Sequence, residues 1–324
     1  MLQGEEGKIC AIRLGYAGGI VVAHNRGQGI VGSDLPAVLP ILREEPHGGQ
    51  VGFLEAGEMA VVTRAGVDYR DMDGNRLNKR LKTVSPEEVV IDKGGHRHFM
   101  LKEIMEQPQA VSNALRERID FEAGRVNLPD FPLSIEEVKG LQRVVLIGCG
   151  TSLHAAMIGR HLIETLGGLA AETESSSEFR YRDPYIDSRT LVVAIAQSGE
   201  TADTLAAMEE AQRKGARQIT LCNLPGAQTT RIADSTLQIR AGIEISVAGS
   251  KTFLCSLATL YLLAIHLGIR RGTLTRQHQI ERVAELALLP DMLGVILTEE
   301  NQYRTLAKRY GHLSDFLYLG RGMN

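Results

Sequence analysis

The stretch Leu191-Val-Val-Ala-Ile-Ala-Gln-Ser-Gly-Glu-Thr-Ala-Asp-Thr204 decides the fold. An apolar run rich in β-branched residues stops abruptly at Gln197 and Ser198, and a helical pattern continues through Leu205, Met208 and Ala211. This spacing predicts a buried strand, a tight turn at Gly199 and a helix opening over Glu200 to Thr204. Unpaired N–H groups at such a helix start, together with the hydroxyls of Ser198 and Thr201, suit a phosphate monoester held by neutral donors and a helix dipole.

The same design occurs about fifty residues upstream, where Arg143-Val-Val-Leu-Ile-Gly-Cys-Gly-Thr-Ser-Leu-His154 runs as a strand, a Gly-x-Gly turn, and a helix opened by Thr151 and Ser152. Either loop alone also reads as an ordinary capped turn. As a pair within one βαβ pattern they favour a ligand site outside the carboxyl ends of the strands.

Outward from these loops the pattern repeats: strands at Val144 to Ile147, Ala170 to Glu174, Thr190 to Ala196, Gln218 to Cys222 and Thr236 to Ile239, with helices at Leu153 to Leu166, Ala202 to Lys214 and Ser250 to Leu267. Alternating strands and helices predict an α/β fold with a doubly wound parallel sheet. Beyond it, Gln277 to Glu299 and Asn301 to Tyr310 read as helices, and Phe316 to Leu319 as a strand before Gly320-Arg-Gly322. Upstream, residues 1 to about 72 are β-rich, with runs at Lys8 to Arg13, Gly19 to Ala23, Gln50 to Leu54, Glu58 to Thr63 and Val67 to Arg70, and a turn signal at Asp73-Gly74. Asp92 to Arg118 has helical spacing around Pro108 and reads as a connector, followed by a Pro-containing linker through Asn127 to Pro132.

The 324 residues, 44% hydrophobic and 23% charged, are ordinary for a globular protein of about two domains. A net charge of −3 offers no electrostatic pull toward nucleic acid or an anionic membrane, and the longest apolar run, Phe253 to Gly268, is interrupted by Ser256, Thr259 and His266 and reads as a buried helix. Cys10, Cys149, Cys222 and Cys255 are too widely spaced for a zinc site or a disulfide framework, which fits a reducing cytoplasm. The acidic start Met1 to Glu6 is no secretory signal. Cys10 lies inside a strand-like run and reads as a small hydrophobe, not as a nucleophile. His96 and His98 lack further ligands nearby, and no motif calls for a cofactor or a metal.

The pair Gly148 to Ser152 and Gln197 to Thr204, with Ser177-Glu-Phe-Arg-Tyr-Arg182 between them, resembles the glutamine:fructose-6-phosphate aminotransferase family, also called glucosamine-6-phosphate synthases. Arg97 to Ile104 with Glu106-Gln-Pro108, Cys222-Asn223, Ala241 to Glu244, Val247-Ala248 and Lys251 to Phe253 agree with it along nearly the whole chain. The resemblance implies a later portion of an α+β, N-terminal-nucleophile-type glutaminase domain at 1–112, a linker at 113–140, a first sugar isomerase (SIS) domain at 141–300, and the start of a second at 301–324. It places the nucleophilic cysteine, its oxyanion donors and the isomerase base, histidine and lysine outside this chain, so no catalytic residue is assigned.

What carries over is substrate binding by Thr151, Ser152, Ala196, Gln197, Ser198, Thr201 and the backbone near Val247, toward fructose 6-phosphate or glucosamine 6-phosphate. Ala196 departs from the hydroxyl residue usual in the family, and Ser246, Gly249 and Ser250 depart slightly. Glu178, Arg180 and Arg182 read as a solvated or packing face, Lys251 as a helix-start residue and not a Schiff-base lysine, and His154 as a partly buried packing residue. The resemblance further implies a cytoplasmic protein and a homodimer in the full-length family. Three function classes stay open: an enzyme of hexosamine synthesis in incomplete form, a phosphosugar-binding or regulatory SIS module, and an inactive gene fragment.

Overall fold

A computed structural model describes residues 7–15, 19–42, 49–84 and 93–322. The acidic start Met1 to Glu6, Asp92 at the head of the connector, and the last residues Met323 and Asn324 lie outside the described residues. The amino-terminal part runs β1 (Lys8–Arg13), β2 (Val21–Asn25), β3 (Gln28–Gly32), α1 (Leu35–Leu42), β4 (Gly49–Phe53), β5 (Glu58–Thr63), β6 (Gly66–Asp71) and β7 (Lys82–Val84). These strands form two antiparallel sheets, ordered β1-β5-β6 and β3-β2-β4-β7. Alternation along β2 joins the layers: Val22 packs with Leu54, Ala60 and Val62 between the sheets, while Val21 and Ala23 pack with Leu35, Val38 and Leu39 of α1.

The connector follows as α2 (Phe99–Met105), α3 (Gln107–Leu115), the short pair β8 (Ile119–Asp120) and β9 (Arg125–Val126), and α4 (Ile135–Gly140). Pro108 stands in the first turn of α3, where its missing N–H breaks no helical bond. Ala110, Val111, Ala114 and Leu115 of α3 are buried in the large core of the carboxyl-terminal part.

That part comprises β10 (Arg143–Gly148), α5 (Thr151–Leu162, prolonged by a π-helical turn over Ile163–Gly167), β11 (Ala170–Ser175), α6 (Ser176–Phe179), β12 (Thr190–Ala196), α7 (Ala202–Arg213), β13 (Arg217–Cys222), α8 (Gln228–Ile232), β14 (Ser235–Gln238), α9 (Lys251–Arg271), α10 (Arg276–Thr298) and α11 (Glu300–Tyr310). Its five strands are all parallel, in the order β11-β10-β12-β13-β14. Period-two alternation feeds two faces: Val144, Leu146, Leu191 and Val193 point into the core shared with α5 and α9, and Val145, Ile147, Val192 and Ala194 meet Ala207, Met208 and Ala211 of α7. Helices on both faces make this the doubly wound α/β sheet expected from the pattern. The helix α9 is long and apolar enough to cross a membrane, yet it is the central core helix, with Leu260, Leu262, Leu263, Ala264 and Ile265 fully buried.

Several local expectations need correction. Phe316 to Leu319 form no strand; their side chains are exposed and no neighbouring strand among the described residues pairs with them. Cys10 does sit in β1, but on the solvent face of an edge strand, and His154 is exposed on α5.

Candidate functional site

The sheet reverses its order between β10 and β12, because β11 lies on one side of β10 and every later strand on the other. The loops after β10 and β12 therefore part at the carboxyl ends and leave a crevice. It is a cavity of about 440 Å³, lined by Cys149, Gly150, Thr151 and Ser152 from the first loop, Ile195, Ala196, Gln197, Ser198, Thr201 and Thr204 from the second, and Glu244 with Ser246 to Gly249 from a third. Thr151, Ser152, Ala196, Gln197, Ser198, Thr201 and Val247 are thus brought to one place. Val247 stands fully exposed at the rim, and Ala196 is buried at the end of its strand.

Both helix starts at the cavity are left open. Gly150 precedes α5 and Thr201 precedes α7, and in neither case does a side chain cap the first turn. Side-chain caps do occur elsewhere: Ser134 closes α4 with a capping box and Thr275 caps α10. Uncapped N–H groups and the positive ends of two helix dipoles consequently face the cavity. The second loop is shaped by Gly199, at φ +69°, where a Cβ would come within 2.6 Å of Ala227 Cβ and 2.8 Å of Cys222 Sγ. The Ser198 hydroxyl accepts the Glu200 N–H at 3.3 Å, which turns the loop back on itself.

The third wall is held by two buried carboxylates that local spacing did not reveal as site residues. Glu244 accepts the N–H groups of Ser250 (2.8 Å), Lys251 (3.0 Å) and Thr252 (3.4 Å) on one oxygen and the Thr252 hydroxyl on the other, so it caps α9 from across the loop. Its carbonyl accepts the Gln197 side-chain amide at 3.2 Å, tying the second and third walls together. Glu103 of α2, 1% exposed, accepts the N–H groups of Ile245 (2.7 Å) and Ser246 (3.3 Å).

Lys251 does not offer a free amine to the cavity. It is buried, and its Nζ donates to Glu106 at 2.7 Å, while Lys102 pairs with the other Glu106 oxygen at 2.9 Å. Burial works to raise the Glu106 carboxyl, but the hydrogen bonds and charges of the two lysines outweigh it and hold its pKa below the ordinary value. Arg180 pairs with Asp203 at 2.7 Å and Arg182 with Glu174 at 2.6 Å, so that charged run braces neighbouring elements. Among the described residues no group of three metal-ligating side chains converges, and burial pushes the Cys255 thiol up to about 12.

Residues 139–266 match the SIS domain family. The isomerizing glutamine–fructose-6-phosphate aminotransferase of Symbiobacterium thermophilum is 39% identical over 322 residues, which are 99% of this chain and 52% of that protein. Its counterpart from Caldanaerobacter subterraneus subsp. tengcongensis is 35% identical over 305 residues, 94% of this chain and 49% of that one. The chain therefore spans about half the length of the curated relatives it matches. Among solved structures, the C-terminal domain of glucosamine-fructose-6-phosphate aminotransferase from Francisella tularensis aligns with a TM-score of 0.68 at 30% identity, over 72% of this chain and 65% of that one. Residues 139–266 are thus a SIS domain, in a chain that resembles the isomerizing glutamine–fructose-6-phosphate aminotransferases over about half of their length.

Proposed function

We propose that the cavity between β10 and β12 binds a phosphorylated hexose, fructose 6-phosphate or glucosamine 6-phosphate, and that the chain serves the glutamine-dependent conversion of the first into the second. One observation carries this reading: two open helix starts and the hydroxyls of Ser152, Ser198 and Thr201 converge on a cavity whose lining has no Lys, Arg or His. A phosphate monoester fits that donor set, because neutral donors and helix dipoles stabilise it without a paired cation. The names of the relatives supply the hexose. The amino-terminal sheets would correspond to the later portion of the glutaminase domain, and the protein would act in the cytoplasm, with a homodimer expected for the full-length family and no nucleic acid or membrane as partner.

A second reading, a phosphosugar-binding or regulatory module, is favoured by Glu244. It is the one carboxylate lining the cavity, and both of its oxygens are already engaged, so no free base faces the ligand there. On either reading the 324 residues by themselves bind the sugar phosphate without turning it over. Titration calorimetry with fructose 6-phosphate tests the assignment: Ser198→Ala with Thr201→Ala removes two hydrogen bonds to a charged group, each worth about 1.5–3 kcal/mol, and should weaken binding at least about a hundredfold. Equal heats from wild type and the double variant would sink it.

A further inference from the structure

Glu200 stands between Ser198 and Thr201 in sequence, yet its carboxyl leaves the cavity and turns to the back of the phosphate loop, where the residue is 8% exposed. There Oε1 accepts the backbone N–H of Gln228 at 3.0 Å and Oε2 the Gln228 side-chain amide at 2.5 Å. Gln228, itself buried, carries the contact onward, for its Oε1 accepts from Arg13 of β1, whose other nitrogen donates to the Leu54 carbonyl at 2.9 Å. Gly19 completes the seat, since a Cβ there would lie 2.3 Å from Glu200 Oε2 and 2.7 Å from the Ser33 carbonyl. One carboxyl thus joins the back of the loop to the amino-terminal part.

Among the described residues the charged and titratable groups around this seat are Arg13 from β1, Asp34 from the turn before α1, and the Cys222 thiol at the end of β13, with Glu55, Glu58 and Glu209 acting on Arg13. Burial pushes the Glu200 carboxyl up to about 7, with Asp34 adding to the rise, against the hydrogen bonds of Gln228 and the charge of Arg13. Since the folded value lies above the ordinary 4.5, the stabilisation is complete below about pH 4.5 and is lost as pH rises through about 7.

We propose that Glu200 is a proton-operated positioning residue through which the amino-terminal part holds the phosphate loop in its binding conformation. In its neutral form the carboxyl fills the seat without a buried charge. Ionised, it places a negative charge near Asp34 and behind a loop that must receive a phosphate dianion. Both effects make the protonated seat the one that favours the ligand, and the ligand part of this inference rests on the phosphosugar reading above.

The test compares the full chain with Glu200→Gln, a neutral isostere, between pH 6 and pH 8. Hydrogen exchange of the amides of residues 197–204 without ligand is read as the ratio of the two proteins at each pH, which cancels the intrinsic pH dependence of exchange. The ratio should be near unity at pH 6, with the wild-type loop roughly threefold or more faster at pH 8, the effect of one charge a few ångströms away under strong screening. The ratio of fructose 6-phosphate dissociation constants should rise by a similar factor, the ionisation of the ligand phosphate cancelling between the proteins. Asp34→Asn gives an independent arm that leaves Glu200 in place: it should move the wild-type step to lower pH. An exchange ratio flat from pH 6 to pH 8 would overturn the proposal. Saturable heat from neither protein at any pH would refute the phosphosugar reading, and the exchange ratio would still decide the role of Glu200.

Discussion

All seven residues of β12 are buried, whereas none of the six residues of β6 is. The first strand lies mid-sheet with helices on both faces; the second is the edge of a three-stranded antiparallel sheet. Their parts differ in the same way. A large core runs from Ala110 to Leu286 through the SIS region, with a second cluster on the other face of its sheet, while the amino-terminal part has only two small clusters. It meets the SIS region through polar contacts, Arg13 with Gln228, Glu55 with Arg231, and Lys82 with the Pro225 carbonyl, and through Ile243, which packs against the cluster around α1. A small core cannot offset much conformational entropy by itself, so the amino-terminal part should depend on being docked.

Limited proteolysis is the strongest attempt to break that contrast. The first cuts should fall before Phe99 and leave a resistant fragment that retains α3 and both phosphate loops, because α3 is buried in the large core. A resistant fragment confined to the amino-terminal sheets would reverse the ranking of the two parts. Next in size is a matched pair of truncations. Leu146→Ala, at a fully buried position of β10, should cost about 3 kcal/mol in denaturant unfolding and shift the main cooperative transition. Val62→Ala, in the small cluster between the antiparallel sheets, should cost about 1–2 kcal/mol and move an earlier transition while leaving the main one in place. A single shared transition displaced by both variants would show one folding unit.

The smallest effect sharpens the comparison through pH. His266 of α9 packs edge-on against Phe131, with ring centroids 5.0 Å apart, and burial, helped by the Arg270 charge, pushes its pKa down to about 4. Here the folded value lies below the ordinary 6.5, so the unfolded chain takes up the proton first. The contribution of His266 is complete above about pH 6.5 and is lost as pH falls toward about 4, opposite in sign to that of Glu200. His266→Gln should remove on the order of 2 kcal/mol of this acid sensitivity, read as the slope of unfolding free energy against pH. An unchanged slope between pH 4 and 6.5 would show that His266 titrates normally.

Much of the SIS region is legible in the chain. The strand over Thr190 to Ala196 occurs with the bounds its apolar run predicts, and the helix after it begins at Ala202, as the Gly-Glu-Thr turn requires. The amino-terminal part is less transparent. The helix over Leu35–Leu42, packed against Val21 and Ala23 of β2, is not among the elements its local pattern predicts. Phe316 to Leu319 have strand-forming residues and no strand, because a strand requires a pairing neighbour that apolar composition cannot supply.

The sequence by itself determined the strand–turn–helix units and the two loops that carry Thr151, Ser152, Ser198 and Thr201, since alternation, glycine turns and helix starts depend on residues only a few positions apart, whereas Ala196 and Val247 entered through the family resemblance alone. Only the tertiary structure decided that Glu103 supports the third wall from 142 residues away, that Glu244 caps α9, and that Glu200 turns its carboxyl out of the cavity toward Gln228 and Gly19. A carboxylate accepts from whichever N–H groups the packed chain brings within about 3 Å, and that proximity is set by how whole elements fit together and not by their order in the chain.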